Sequence, residues 1–96
     1  MPKYIILGQW TDQGIRAVKD TAKRADAIRG LAAKMGAKID IWWTMGAYDF
    51  VAIAEAPNDD AYMQLALQIG TQGNVRTTSM KAWSQDEALK VIGKLQ

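Results

Sequence analysis

The chain has 96 residues, of which 49% are apolar and 23% charged, and its formal net charge is +2. This length and composition predict one ordinary globular domain that spans residues 1–96. No apolar run approaches the roughly 20 residues that a membrane-spanning helix needs. The first residues lack the small-residue cleavage site of a signal peptide. We therefore expect a cytoplasmic protein that does not enter a membrane.

Cysteine and histidine are both absent from the sequence. Their absence excludes disulfides, thiolate nucleophiles and the imidazole or thiolate ligands of most transition-metal sites. It also removes the commonest general base at neutral pH. We expect no metal and no cofactor, and any catalysis would rest on Asp, Glu, Tyr, Lys or Arg.

The charges are distributed unevenly along the chain. Residues 1–38 carry eight Lys and Arg against three Asp, whereas residues 39–87 carry two against seven acidic residues. A nucleic-acid-binding surface would need a denser basic stripe with interleaved aromatic side chains. We therefore interpret the basic first helix as a solvated surface and expect no nucleic-acid partner.

The first half of the chain predicts a strand, a helix and a second strand. Residues Tyr4–Trp10 have apolar side chains on both faces, as in a strand that is covered on both sides. Residues Thr21–Met35 repeat apolar side chains at helical spacing, and Gly36 suits the position after the helix. Residues Lys38–Met45 alternate between the two faces of a strand.

The second half predicts a strand, a helix, a strand and a short helix. Residues Tyr48–Ala56 form the third strand, and Asn58 is a good N-cap for the helix that follows. Residues Asn74–Trp83 form a more polar fourth strand. Ser84 and Glu87 have the spacing of a capping box, which starts a short C-terminal helix.

The order β-α-β-β-α-β is that of a ferredoxin-like α+β fold with a four-stranded antiparallel sheet. In this fold the first and third strands are central, and both helices cover one face of the sheet. The other face would expose an apolar patch larger than monomers usually tolerate. We therefore predict that a second copy of the chain covers it, in a homodimer or a higher homo-oligomer.

A hairpin joins the second and third strands. Gly46 and Ala47 fit a two-residue type II′ turn, which would pair Met45 with Tyr48 and Trp43 with Phe50. The same register pairs Thr44 with Asp49 and Trp42 with Val51. It predicts that Trp43, Met45, Tyr48 and Phe50 face the core and that Trp42, Thr44 and Asp49 face the partner subunit.

The chain resembles the GYD-domain family, whose name comes from a Gly-x-Tyr-Asp signature that Gly46, Tyr48 and Asp49 match. The resemblance covers nearly the whole chain. It also extends through Tyr4–Leu7, Trp10–Ile15, Tyr48–Val51, Glu55–Pro57 and Gly73–Thr77. It implies a relationship to the dimeric α+β barrels and a function that is uncharacterised. The pair Trp42-Trp43 departs from the usual family pattern.

Three functions remain open from the sequence. The first is a non-catalytic protein that binds a small ligand in a cavity between subunits. The second is an assembly module in which the hairpin serves only subunit packing and Asp49 accepts hydrogen bonds from backbone N–H groups and Thr44. The third is a cofactor-independent isomerase or monooxygenase with Asp49 as base and Tyr48 as acid. The candidate ligand-binding residues are Trp10, Arg16, Trp42, Thr44, Asp49 and Arg76.

Overall fold

The computed structural model describes all 96 residues as one α+β domain. None of its helices is long and apolar enough to cross a membrane. A 3-10 turn at Val18–Asp20 links the first two helices. In chain order, the elements are β1 (Lys3–Trp10), α1 (Asp12–Arg16), α2 (Thr21–Lys34), β2 (Lys38–Trp43), β3 (Phe50–Glu55), α3 (Asp59–Thr71), β4 (Val75–Ala82) and α4 (Gln85–Ile92).

The four strands form one antiparallel sheet in the order β2-β3-β1-β4. Strands β1 and β3 are central and β2 and β4 are the edges, as the hydrophobic pattern predicts. The predicted ferredoxin-like fold with a short C-terminal helix is therefore confirmed. Thr11, Asn58 and Ser84 each accept a backbone N–H at the start of a helix, as predicted for Asn58 and Ser84.

The core lies between the sheet and helices α2 and α3. Tyr4, Ile6 and Phe50 point into it from the central strands, and Leu65 of α3 is fully buried against them. The small side chains of Ala52 and Ala54 are completely buried in β3. Because an alanine leaves space above the sheet, the helices can approach β3 closely.

The opposite face of the sheet has no helix over it. We call it the open face, and its apolar residues are Ile5, Leu7, Trp42, Val51, Ile53 and Met80. Ile53 and Met80 are 43% and 44% exposed, and Trp42 is 52% exposed. The shortest dimension of the domain is 17 Å, which corresponds to one layer of sheet and one layer of helices. The partner that would cover this face stays a prediction.

Helix α4 also lacks cover. None of its residues is buried, and Leu89, Val91 and Ile92 are all more than half exposed. The ammonium of Lys3 lies 3.3 Å from the carboxylate of Glu87, which links the start of α4 to β1. Hydrogen bonds from Ser84, with help from Lys3, lower the pKa of Glu87 to about 2.

The hairpin between β2 and β3 differs from its prediction in the turn but not in the register. Trp43 pairs with Phe50 as predicted, but the strands end there. The loop is closed by the Thr44 N–H, which donates to the Asp49 carbonyl at 2.8 Å, and no backbone bond joins Met45 to Tyr48. The two-residue turn is therefore wrong, although Gly46 has the positive φ (125°) that such positions favour.

The predicted burial of the hairpin aromatics is only partly correct. Phe50 is buried, whereas Trp43, Tyr48 and Met45 are 48%, 39% and 99% exposed. Trp43 belongs to an edge strand, which has a neighbouring strand on one side only. Met45 and Tyr48 belong to a loop beyond the paired strands. Trp43 therefore lies on the face of the sheet that the register predicts, but it is not buried there.

Candidate functional site

Asp49 lies immediately before β3 and joins this strand to β1. Its backbone N–H donates to the Gly8 carbonyl at 2.8 Å, and its Oδ2 accepts the Trp10 N–H at 2.8 Å. Because Gly8 pairs with Phe50, continued pairing would bring Trp10 opposite Tyr48. The Tyr48 carbonyl instead accepts the Thr44 hydroxyl at 2.7 Å. The Asp49 carboxylate thus replaces a backbone carbonyl at the point where regular pairing ends.

This hydrogen bond bears on the two roles that the sequence left open for Asp49. The structural interpretation expected acceptance from backbone N–H groups and from Thr44. The backbone bond is present, but the Thr44 hydroxyl donates to the Tyr48 carbonyl and not to the Asp49 carboxylate. One carboxylate oxygen is therefore engaged in the fold, and Oδ1 has no hydrogen-bond partner within the chain.

An open polar groove lies beside Asp49, at the end of the sheet where β1 leads into α1. Asp49 and Arg76 bring opposite charges to it, but they form no ion pair with each other or with other groups. The Gln9 side chain donates to the Ala47 carbonyl at 3.0 Å and fixes the loop at one wall. The groove is lined by Gln9, Trp10, Thr11, Asp12, Gln13, Asp49, Gly73 and Arg76.

Beside this groove, α1 packs tightly against the segment that leads into β4. The Thr11 hydroxyl caps α1 and donates to the Gly73 carbonyl at 2.6 Å. The Gln13 amide donates to the Asn74 side chain at 3.0 Å. A Cβ added to Gly14 would lie 1.9 Å from the Asn74 carbonyl oxygen, so no side chain fits there. Two of the segments that resemble the family, Trp10–Ile15 and Gly73–Thr77, are therefore held together by these contacts.

The structure brings together three of the six predicted ligand-binding residues. Trp10, Asp49 and Arg76 line the polar groove. Trp42 lies on the open face, Thr44 lies in the hairpin loop, and Arg16 is exposed on α1. None of these three lines the groove, so the groove is more polar than the site that the sequence predicted.

A second concavity was not predicted from the sequence. It is a crevice of about 60 Å³ between the sheet and helices α2 and α3. Its walls include Ile28, Ile39 and Phe50, and the half-exposed ring of Trp43 also lines it. We call it the helix–sheet crevice. The register had placed Trp43 on the helix-covered face of the sheet, but its exposure depends on the tertiary structure.

Arg24 of α2 lies at the polar rim of the helix–sheet crevice. Its guanidinium carbon is 5.8 Å from the centre of the Trp10 ring, within the range of a cation–π contact. The Nη2 atom donates to the Gly14 carbonyl at 3.3 Å and approaches the Thr21 hydroxyl at 3.5 Å. Arg24 has no carboxylate partner.

The shifted titratable groups lie away from both concavities. Burial, followed by a hydrogen bond to Asp59, raises the pKa of Tyr4 to about 12. Hydrogen bonds from Tyr4 and then from Lys81 lower the pKa of Asp59. Burial raises the pKa of Tyr62, whose ring stacks on Tyr4 at 3.9 Å. These shifts come from a structural cluster at the other end of β1.

The structure brings no three His, Cys, Asp or Glu side chains together in an arrangement that would hold a metal ion. The only candidate acid–base pair from the sequence is Tyr48 and Asp49. Asp49 has one oxygen engaged by the Trp10 N–H, and Tyr48 lies in an exposed loop. The groove therefore offers hydrogen-bonding and charged groups without an activated nucleophile.

Comparison with known structures gives the same fold at low sequence identity. A crystal structure of a protein from Thermus thermophilus matches with a TM-score of 0.57 and 19% identity, and covers 88% of this chain and 95% of that chain. A protein from Arabidopsis thaliana matches with a TM-score of 0.59 and 10% identity, over 88% of this chain and 96% of that one. At these identities the matches show the fold alone.

Sequence comparison identifies the family. A Thermus thermophilus protein named "Glutamine synthetase and cystathionine beta-lyase binding protein" is 27% identical over 84 residues, which cover 85% of this chain and 88% of that protein. The family model described as the GYD domain matches residues 4–92. This match includes all four helices and, except for the first residue of β1, all four strands. The chain therefore belongs to the GYD-domain family.

Proposed function

We propose that this GYD domain is a non-catalytic binding protein that works as a self-associated assembly. The observation that carries the proposal is the open face, where apolar side chains of all four strands lie on one uncovered surface. Ile5 and Leu7 occupy its centre, and Ile53 and Met80 flank them on the neighbouring strands. Contiguous apolar surface of this kind marks an interaction site in most proteins.

A second copy of the chain is the occupant that fits the open face best. A two-fold axis would place the same apolar surface opposite itself, so the two sheets would cover each other. The edges of the face carry Lys3 and Glu55, which pair at 3.6 Å within one chain. Charges at the rim and apolar residues at the centre are the usual arrangement of a protein interface.

Substitution of Ile53 by Lys tests the self-association. Each two-fold interface would contain two added ammonium groups in an apolar environment, so we expect Ile53→Lys to dissociate the assembly. Leu67→Lys is the matched control because Leu67 is 61% exposed on α3, away from the open face. Sedimentation velocity would measure both variants and the wild-type chain. A wild-type chain that sediments as a monomer at its solubility limit contradicts the proposal.

The polar groove is the site that we propose for a small ligand of this assembly. Gln9 and Arg76 are paired strand positions on the open side of the sheet, and Asp49 immediately precedes β3, so the groove would lie at the rim of the subunit interface. The free Oδ1 of Asp49 would accept a donor from the ligand, and Arg76 would bind an anionic group. This arrangement supports ligand binding more than catalysis, since no activated acid–base pair accompanies it.

A thermal-shift screen of polar metabolites would test the ligand site. We expect a ligand that stabilises the wild-type chain to lose its effect in Arg76→Gln and in Asp49→Asn. Arg16→Gln is the control, because Arg16 is an exposed arginine outside the groove. If every ligand response survives both groove substitutions, the groove is not the binding site.

Binding of a protein partner is a second candidate function, and the name of the Thermus relative favours it. The uncovered residues Leu89 and Ile92 of α4 provide an exposed apolar surface in addition to the open face. Calorimetric titration with glutamine synthetase and with cystathionine β-lyase would test this candidate. We expect binding that weakens in Ile92→Lys and persists in Leu67→Lys. Absence of binding to both enzymes would exclude the two partners named for the relative.

A further inference from the structure

We propose that the helix–sheet crevice binds a short branched-chain carboxylate, with the alkyl group between α2 and the sheet and the carboxylate at Arg24. This site goes beyond the proposed function, because it lies on the helix side of the sheet and the open face lies on the other side. Three features of the crevice support it, namely its apolar walls, its size and the unpaired charge at its rim.

The walls of the crevice are almost entirely apolar. Ile39 and Phe50 line it from the sheet, Ile28 lines it from α2, and Ile69 lines it from α3. Ligand sites are typically apolar concavities with a few polar groups that fix the orientation of the ligand. Here the polar lining residues are fewer than the apolar ones and come from α2, the α3–β4 connection and β4, namely Thr21, Arg24, Gln72, Asn74 and Thr77. An occupant should therefore have one apolar end and one polar end.

The volume of the crevice limits the apolar end. About 60 Å³ is well below the roughly 150 Å³ of an engineered cavity that binds benzene. A branched alkyl group of three or four carbons is therefore favoured over an aromatic ring. The half-exposed Trp43 provides a further apolar surface beside the opening.

The charge of Arg24 determines the polar end. Both of its hydrogen bonds use Nη2 and are long, at 3.3 and 3.5 Å, so Nη1 and Nε have no partner in the chain. The cation–π contact of the guanidinium with the Trp10 ring, at 5.8 Å, limits its orientations. A guanidinium with two free nitrogens binds a carboxylate through parallel hydrogen bonds. The charge complementarity therefore favours a carboxylate over an amine or a neutral ligand.

Isovalerate is a suitable probe, and isovaleramide is its uncharged counterpart of the same shape. Proton–nitrogen correlation spectra of the full chain would follow the indole N–H signals of Trp10 and Trp43 during titration. We expect saturable shifts of both signals with isovalerate, at a Kd in the millimolar range that is typical of so small a ligand. Binding of isovaleramide should be weaker by at least about tenfold, because it loses the charge-assisted bonds. Phenylacetate should also bind more weakly because its ring exceeds the crevice.

Three substitutions on α2 separate the role of the charge from that of the cavity. Arg24→Gln should weaken isovalerate binding by at least about tenfold, whereas Arg29→Gln should leave it unchanged, since Arg29 is exposed and pairs with Asp26. Ile28→Phe should fill the crevice and abolish the shifts. The same spectra report whether each variant is folded. The comparison of isovalerate with isovaleramide uses the wild-type chain and therefore does not depend on the folding of a variant.

Three results would overturn the proposal. They are equal binding of isovalerate and isovaleramide, unchanged binding in a folded Arg24→Gln protein, and no movement of the Trp43 signal up to the solubility limit of isovalerate. Trp43 lines the crevice and not the polar groove, so its signal distinguishes the two sites. Binding should persist in Ile53→Lys, which separates failure of the crevice site from failure of self-association.

Discussion

Asp49 shows how one residue of the family signature serves the fold directly. Its carboxylate accepts the Trp10 N–H, 39 residues away in the sequence, where the backbone of the loop no longer provides an acceptor. The Asp of the Gly-x-Tyr-Asp signature therefore provides the hydrogen-bond acceptor for the Trp10 N–H at the end of the paired region of β1 and β3. A role toward a ligand at the free Oδ1 is compatible with this structural role.

Removal of the Asp49 carboxylate should destabilise the fold. In Asp49→Ala the partly buried Trp10 N–H loses its partner, and we expect the free energy of unfolding to fall by about 1–3 kcal/mol. Asp49→Asn retains an acceptor and should cost less. Asp20→Ala is the control, because Asp20 makes no side-chain cap. Urea denaturation would measure all three, and equal stability of Asp49→Ala and Asp20→Ala contradicts this role.

The Tyr4 cluster predicts a loss of stability in alkali. The pKa of Tyr4 is raised from 10.0 to about 12, so folding favours the neutral phenol. This contribution is complete below pH 10 and is lost as the pH rises through 12. We expect the unfolding free energy to fall between these values, and to fall less in Tyr4→Phe, where only Tyr62 retains a raised pKa. An identical alkaline decline in both proteins would contradict this assignment.

The same cluster acts in the opposite direction in acid. Hydrogen bonds from Tyr4 and Lys81 lower the pKa of Asp59 below its usual 3.8. A lowered carboxylate pKa stabilises the fold above the unfolded value, and the contribution disappears as the pH falls through the folded value. The stability of this cluster is therefore greatest over the broad range between the titrations of Asp59 and Tyr4.

Among the elements, the central pair β1 and β3 depends on glycine at one position. Gly8 lies opposite Phe50, whose ring covers it, and a Cβ at Gly8 would lie 2.0 Å from a ring carbon. Helix α2 contains a contrasting glycine. Gly30 has open space where a Cβ would be, so close packing does not explain it. The two positions provide opposite predictions for the same substitution.

Replacement of each glycine by alanine should change stability in opposite directions. Gly8→Ala should displace the Phe50 ring and cost about 1–3 kcal/mol of unfolding free energy. Gly30→Ala should add up to about 1 kcal/mol, because alanine favours the helix and meets no neighbour. Thermal and urea unfolding of both variants would check the signs. Destabilisation by Gly30→Ala would indicate a neighbour from a second subunit at this exposed position.

The domain buries only a small part of its apolar residues, which make up 49% of the chain. Only 14 of the 96 residues are buried, and large apolar side chains on the open face and on α4 are exposed. A two-layer domain of this size can cover only one side of its sheet. Self-association is the physical solution that we propose, and it would make the stability of the fold depend on concentration.

Thermal unfolding would reveal this dependence. If folding and association are linked, the Tm of the wild-type chain should rise with protein concentration by mass action. The Tm of Ile53→Lys should not depend on concentration, whereas Leu67→Lys should behave like the wild type. A hundredfold increase in concentration favours the associated state by RT ln 100, or about 2.7 kcal/mol. A wild-type Tm that is constant over this range would contradict linked association.

Local sequence patterns were sufficient to predict the order of the four strands and of helices α2, α3 and α4, the two central strands, the caps at Asn58 and Ser84, and the register of Trp43 with Phe50. These features depend on hydrophobic period, capping chemistry and turn residues, each of which can be read within a few positions. The family followed from the order and spacing of such motifs along the chain.

The extent to which each side chain is buried, and the distant groups that it meets, depend instead on tertiary packing. Trp43 has the predicted face but is half exposed, since an edge strand is covered on one side only. The partner of Asp49 and the crevice beside Arg24 depend on segments that are far apart in sequence. Their positions are fixed by the packing of helices on the sheet, which no local pattern specifies.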